Sequence, residues 1–470
     1  MKILLIFPRI KYGEHSPPLG LGYLASALEQ GKEEVVIADL TFEKDYEFLK
    51  NKLKEFKPEL IGVTCQTTFA ESAFKVTRLC KSIFPDVPVV IGGPHPTILP
   101  EKTLAESKAD IVVLGEGEGS LVEIVDKFKN KQRLNEVKGI YFNQDGKIVF
   151  TGVRDFIVNL DKIPFPSRHL FDQRYFDFPE VTLISSRGCP FNCSFCQPTL
   201  KKMFGNKVRL RSPDNVVDEI EFILQKYPQK TIRFHDDTFT WNNHWIKSVC
   251  GLIKERKLQF SWNCKSRIDV LDEESISLLK DAGCQRLDLG VESGSVRILD
   301  EVLNKGVSIK KIKNAFDLCA KLNMPTLAFI MIGAPTETAA DILDTISLLE
   351  DITFMGLHVS LFTPFPGTEI FDYAKSNDLI CAVGWNDYDF YSSVSLKSEN
   401  FQAKEIKNMR LIIEKGVTAY NLFKKEGGVR VFMIKHPLTF LKYIPYYFKL
   451  KILKNHLKKR KVCKLILKKW

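Results

Sequence analysis

Short continuous apolar runs alternate with helical patterns twice along this chain, and that rhythm restricts the fold more than any other feature. Ile3–Phe7, Val35–Ala38, Leu60–Val63, Val87–Ile91 and Ile111–Leu114 form the first series. Runs without polar alternation are strands covered on both faces, as in parallel sheets. Helical patterns lie between them, at Leu21–Gln30, Ala73–Phe84 and Ser120–Lys129. Repeated βα units predict a doubly wound α/β sheet, with ligands at the carboxyl ends of its strands. Those ends carry Thr64-Cys-Gln-Thr-Thr68, Gly92-Gly-Pro-His-Pro-Thr97 and Gly115-Glu-Gly-Glu-Gly119, where glycine lets backbone approach a ligand closely.

The second series has strands at Val181–Ser185, Thr231–His235, Phe260–Cys264, Arg286–Val291, Thr326–Ile332 and Leu357–Phe362. Helical patterns follow at Asn215–Lys226, Trp245–Arg256, Glu273–Ala282, Ile309–Leu322 and Ala339–Glu350. Six βα units predict a partial (β/α)6 barrel, with its chemistry at the strand C-termini. A chain of 470 residues is too long for one core. The expected division is 1–135, a connector 136–180, a barrel 181–385 and a helical region 386–470. The connector holds a hairpin pattern around Asn143-Gln-Asp-Gly146 and the proline-rich Ile163-Pro-Phe-Pro-Ser167. The opening run Met1-Lys-Ile-Leu-Leu-Ile-Phe-Pro8 lacks a small-residue cleavage site and reads as a buried strand. No run of about 18 apolar residues occurs. Eleven cysteines without paired spacing argue for a reducing cytoplasm.

Three of those cysteines, Cys189, Cys193 and Cys196, share one loop after the first barrel strand. Zinc usually takes four ligands in paired groups, and iron–sulfur clusters usually take four thiolates. The C-x3-C-x2-C spacing resembles the radical S-adenosylmethionine (SAM) superfamily. That resemblance implies a [4Fe–4S] cluster on the three thiolates, with SAM on the fourth iron. It extends along the barrel. Arg233-Phe-His-Asp-Asp-Thr-Phe239 resembles the acidic-aromatic turn near the methionine part of SAM. Asp236 and Asp237 there are either acceptors for the SAM ammonium or a solvated turn. Arg267, in Ser266-Arg-Ile-Asp269, either forks onto the SAM carboxylate or bridges strand ends. Glu292, in Gly290-Val-Glu-Ser-Gly294, resembles the residue holding the SAM ribose. Lys305 either reaches SAM or is a helix-end cation. Ile332-Gly-Ala-Pro-Thr-Glu337 and Thr363-Pro-Phe-Pro-Gly-Thr368 match further family turns.

The first series resembles the cobalamin-binding domain that precedes the barrel in one large radical-SAM class, the class B methyltransferase-like enzymes. The resemblance makes Thr64, Gly92, Gly93, His95, Glu116 and Gly117 cobalamin contacts. The D-x-H-x-x-G motif that supplies a cobalt-ligating histidine is absent, and the corresponding loop offers only Glu14-His15. A methylthiotransferase would need three more N-terminal cysteines, and only Cys65 and Cys80 occur there.

The charge is lopsided. Residues 401–470 hold 19 Lys/Arg against 3 Asp/Glu, and no acidic residue follows Glu426. The tail interleaves those cations with aromatic and aliphatic residues. Three readings stand: a membrane-surface segment, a nucleic-acid binder, or a helical hairpin packed on the barrel. The long aliphatic content favours lipid over RNA. The expected function is methyl transfer to an unactivated carbon of a lipid or membrane-associated substrate, with flavodoxin or ferredoxin as reductant. The expected location is cytoplasmic, on the inner face of the membrane. Cyclisation, ring contraction or carbon–carbon coupling is the alternative chemistry, and a non-catalytic cobalamin or redox sensor that binds nucleic acid is the alternative class. No residue is assigned a catalytic role.

Overall fold

The structure, a computed structural model, describes residues 1–10 and 16–467, with side chains through Arg460. His15, the loop histidine raised above, lies outside the described residues. The chain divides into two compact units: residues 1–190, 196–237 and 384–386, and residues 191–195, 238–383 and 387–470.

The first unit opens with five βα repeats. Their strands are β1 (Lys2–Phe7), β2 (Glu34–Asp39), β3 (Leu60–Thr64), β4 (Val89–Gly92) and β5 (Ile111–Val113). Helices α1 (Leu19–Gln30), α2 (Glu47–Phe56), α3 (Ala70–Ile83), α4 (Pro94–Ile98), α5 (Pro100–Ser107) and α6 (Gly117–Lys129) alternate with them. The strand order is β2-β1-β3-β4-β5, all parallel, extended by the antiparallel β6 (Ile140–Gln144) and β7 (Lys147–Phe150). Alternation along each strand feeds two cores. Ile3, Leu5 and Phe7 join one face with Leu21, Ala25 and Ile124. Leu4 and Ile6 join the other with Leu53, Phe74 and Val76. Because both faces are covered, the strands lack polar alternation, which is why they were readable.

The same unit continues through β8 (Glu180–Leu183), β9 (Ser186–Arg187), α7 (Thr199–Phe204), β10 (Arg209–Leu210), α8 (Pro213–Lys226) and β11 (Thr231–Phe234). β8 and β11 pair in parallel. Ser212 starts α8 by accepting from the Asn215 N–H at 3.2 Å, with Pro213 at the first helical position.

The second unit carries α9 (Asn243–Glu255), β12 (Trp262–Ser266), α10 (Glu273–Asp281), β13 (Cys284–Glu292), α11 (Ile309–Lys321), β14 (Thr326–Ile332), α12 (Ala339–Asp351), β15 (Gly356–Leu361) and α13 (Glu369–Ser376). Strands β12 to β15 pair in chain order, all parallel. Capping boxes at Asp272 and Thr338 start α10 and α12. Three further helices complete the unit: α14 (Ala403–Lys425), α15 (Val429–Lys435) and α16 (Pro437–Leu467). The tail is therefore helical. Leu450, Leu453 and Leu457 of α16 are buried, and α16 packs closely on α14 at Gly416, where a Cβ would stand 2.8 Å from Leu450 Cβ. No described helix is long and apolar enough to cross a membrane.

Candidate functional site

In the first unit a cavity of about 390 Å³ opens at the carboxyl ends of the parallel strands, within the usual range for small-molecule sites. It lies where the strand order reverses, with β1 and β3 side by side. Thr64, Gly92, Gly93, Glu116 and Gly117 line it. Gly93 has φ +114°, and a Cβ there would stand 2.7 Å from the Cys65 carbonyl oxygen, so only glycine fits. His95, expected beside them, does not line the cavity. It is buried on α4, with its ring edge-on to Trp385 at 4.5 Å and Phe74 at 5.7 Å. Its Nδ1 meets Thr67 Oγ1 at 3.1 Å. Burial, with help from Lys102, lowers its pKa to about 4, so the imidazole is neutral. The packing partner Trp385 lies far along the chain, which is why the motif alone misplaced the ring.

Glu116 turns its carboxylate toward cations of the same unit. Its Oε1 accepts from Arg187 Nη1 at 2.7 Å, and its Oε2 from Arg209 Nη1 at 2.8 Å and the Ile157 N–H at 2.9 Å. Glu118 Oε1 accepts from Arg187 Nη2 at 2.5 Å. Burial works against the Arg187 cation, but the two carboxylates outweigh it and raise its pKa. Arg187 itself lines the cavity, and no reading of the sequence singled it out. The available signal was its place two residues before Cys189, with paired carboxylates in Gly115-Glu-Gly-Glu-Gly119.

The two aspartates just past the end of β11 have different surroundings. Asp236 turns inward and is 1% exposed. It accepts from the Ser185 N–H at 3.1 Å, Ser185 Oγ at 2.8 Å and Ser186 Oγ at 2.5 Å. Burial raises its pKa and those serines work to lower it. Asp237 and His235 turn the other way and line the cavity.

In the second unit the predicted residues Cys193, Arg267, Glu292 and Lys305 come together. Arg267 Nη1 donates to Cys193 Sγ at 3.2 Å and Nη2 to the Lys305 carbonyl at 2.8 Å. Its Nε and Nη2 fork onto Asp269 at 2.9 and 3.0 Å, and its guanidinium lies 3.6 Å from the centre of the Phe191 ring. Burial opposes the Arg267 charge, while Asp269 and Cys193 raise its pKa. Lys305 Nζ donates to Glu292 Oε1 at 2.7 Å, and Lys305 is buried, unlike a solvated helix-end cation. Glu292 has φ +67°, a strained conformation of the kind that gathers at functional sites. The turn after a π-helical stretch, Ile298–Val302, pins the cysteine loop. Ser194 N–H donates to the Leu303 carbonyl at 3.0 Å and Asn304 Nδ2 to the Asn192 carbonyl at 3.1 Å.

Cys193 is buried, and Cys189 and Cys196 are half-buried. Among the described residues no three His, Cys, Asp or Glu side chains converge on one ion. A four-iron cluster does not demand that convergence, because each thiolate takes a different iron.

The radical SAM superfamily model matches residues 183–349, and the B12 binding domain model matches residues 7–125. An uncharacterized methyltransferase of Pyrococcus horikoshii is 33% identical over 419 residues, covering 87% of this chain and 90% of its own. The chain belongs to the radical SAM superfamily. It is of the kind that carries a B12-binding domain ahead of the radical SAM domain, and it is a methyltransferase-like enzyme. The anaerobic magnesium-protoporphyrin IX monomethyl ester cyclase of Rubrivivax gelatinosus is 29% identical over 412 residues, covering 84% of this chain and 73% of its own. The fold is shared with the radical SAM methyltransferase TsrM of Kitasatospora setae, solved with cobalamin and a [4Fe–4S] cluster bound. That match has a TM-score of 0.69 at 21% identity, over 80% of this chain and 75% of that one.

Proposed function

We propose that this radical SAM enzyme transfers a methyl group to an unactivated carbon of a lipid or other membrane-associated substrate. The observation that carries the reading is the placement of two sets of residues. Cys193, Arg267, Glu292 and Lys305 meet around the cysteine loop, and Thr64, Gly92, Gly93, Gly117 and Asp237 line a glycine-walled cavity at the strand ends. Cys189, Cys193 and Cys196 hold the cluster, and Glu292 and Lys305 hold SAM. Arg267 orients Cys193 and closes the backbone of Lys305 over the loop. Asp237 offers a carboxylate to the SAM ammonium, while Asp236 fixes the two serines that precede the loop. Backbone at Gly92, Gly93 and Gly117 lies against the corrin, and Glu116 serves it indirectly by holding Arg187 at the cavity wall. When bound, the cluster and SAM supply a radical able to take hydrogen from carbon, and cobalamin supplies the methyl group. The buried Lys305 keeps its ammonium on the half-buried Glu292 and away from water. A flavodoxin or ferredoxin delivers the electron, and the basic tail brings the protein to the inner face of the membrane.

The test is anaerobic reconstitution with iron, sulfide and cobalamin, then product analysis with SAM and a reductant. 5′-Deoxyadenosine should form, and Cys189→Ala, Cys193→Ala or Cys196→Ala should each abolish it. Methyl transfer should add S-adenosylhomocysteine once substrate is supplied. Deoxyadenosine and a modified substrate without S-adenosylhomocysteine would replace methylation by cyclisation or coupling, the reading that the similarity to the cyclase favours.

A further inference from the structure

The last helices of the second unit have two unlike faces. One side of α16 is buried through Leu450, Leu453 and Leu457. On the other side Leu438, Leu441, Phe448 and Ile452 are 83, 66, 56 and 68% exposed. With the exposed Pro445 they step along the helix by three, four, three and four residues. At 3.6 residues per turn that spacing keeps all five within an arc of about 80°. The buried leucines centre roughly 130° away on the same geometry. The stripe is not the edge of a core.

Cations border the stripe. Lys442 and Lys449 fall on one flank and Lys451 and Lys458 on the other, all four exposed. The preceding α15 adds exposed Met433 and Ile434 between Arg430 and Lys435. No acidic residue follows Glu426. An apolar stripe with lysines on both sides, on a helix anchored from behind, is the pattern of a helix lying in a membrane interface. A protein partner would leave the one-signed charge unmatched unless it were acidic. A second copy of this chain would set lysines against lysines.

We propose that the exposed face of α15 and α16 docks on an anionic lipid bilayer, with Leu438, Leu441, Phe448 and Ile452 entering the headgroup region and the flanking lysines meeting lipid phosphates. The docking deepens the membrane-surface reading of the tail proposed above, on which it rests, and is tested without the methyl-transfer chemistry. The full chain, loaded with its cofactors, is floated with vesicles of phosphatidylcholine alone and with vesicles containing phosphatidylglycerol. Flotation should require the anionic lipid and weaken with added salt. Leu441→Glu/Phe448→Glu should reduce the bound fraction at least tenfold. Both sites are exposed, so circular dichroism and deoxyadenosine formation should match the parent. Lys442→Glu/Lys449→Glu should do the same. No flotation on anionic vesicles would overturn the proposal, as would flotation equal in parent and variants. So would concentration-dependent dimerisation that Leu441→Glu/Phe448→Glu abolishes, which would make the face an interface between copies. Failure of deoxyadenosine formation with flotation intact would instead sink the cofactor reading alone.

Discussion

Glu337 shows how a single side chain can work against its own fold. It follows β14, and its Oε2 accepts the Gly333 N–H at 2.6 Å. Its Oε1 is buried without a hydrogen-bond partner. Burial pushes its pKa up to about 8, with Asp341 adding to the rise and the Gly333 N–H opposing it. The unfolded chain releases this proton near the ordinary value of 4.5 and the folded chain near 8. Between those values the folded state binds more protons, so the stability Glu337 contributes is full below pH 4.5 and falls as pH rises to 8. The loss is on the order of 3–5 kcal/mol. Glu337→Gln keeps the shape and removes the titration. Its melting temperature should exceed the parent's at pH 8.5 and lose that advantage toward pH 5. Parallel melting profiles would refute the assignment. The neighbouring Thr336 sits at φ +61°, rare for a β-branched residue, and Arg297 holds it through the hydroxyl and the carbonyl at 3.0 Å each. The family turn was legible in the sequence, but neither the strain nor the buried carboxyl was, because both depend on what packs over the turn.

At the scale of elements, legibility followed sequence distance. The apolar runs located every strand of the two series to within about two residues, because burial on both faces leaves a continuous pattern. In the sequence Asp236 and Asp237 shared one expected role, and their different surroundings, just past the end of β11, were not legible. What escaped were meetings between distant segments, such as His95 with Trp385, Arg187 with Glu116 and Glu118, and Arg267 with Cys193. The tail was legible as basic and amphipathic, but its division into a packed side and an exposed side needed the neighbour, α14. The crossing of those helices makes a paired prediction. Gly416 faces Leu450 Cβ at 2.8 Å and the Tyr446 carbonyl at 2.9 Å, measured from an added Cβ. Gly251 in α9 would place a Cβ in open space. Alanine gains about 1 kcal/mol of helix propensity over glycine at either position. Gly251→Ala should therefore raise unfolding stability by roughly 0.5–1 kcal/mol. Gly416→Ala should lower it by about 1–3 kcal/mol, the usual cost of overpacking, because backbone and a Cβ cannot move aside as a side-chain tip can. A chemical denaturation series on the three proteins separates the outcomes. A stabilised Gly416→Ala would mean that α14 and α16 pack more loosely than their approach indicates.

For the whole molecule, corrinoid binding and cluster binding can be tested separately, because different residues are assigned to them. The glycine-lined cavity belongs to the first unit, and Cys193, Arg267, Glu292 and Lys305 belong to the second. A ligand that binds only the folded protein stabilises it. At a hundredfold excess over its dissociation constant the gain is about 2.7 kcal/mol. Gly117 opens α6 at the cavity, and a Cβ there would stand 3.1 Å from Leu24 Cδ2, a contact that the end of a side chain can relieve. Gly117→Val should therefore fold, but its γ-methyls would occupy space at the cavity wall. Corrinoid content per chain should fall at least tenfold while iron content stays at the parent's level. Added cobalamin should raise the thermal transition of the parent and leave that of the variant unmoved. If Gly117→Val binds cobalamin as the parent does, the corrin lies elsewhere. If iron and corrinoid are lost together, the two sites are not separable.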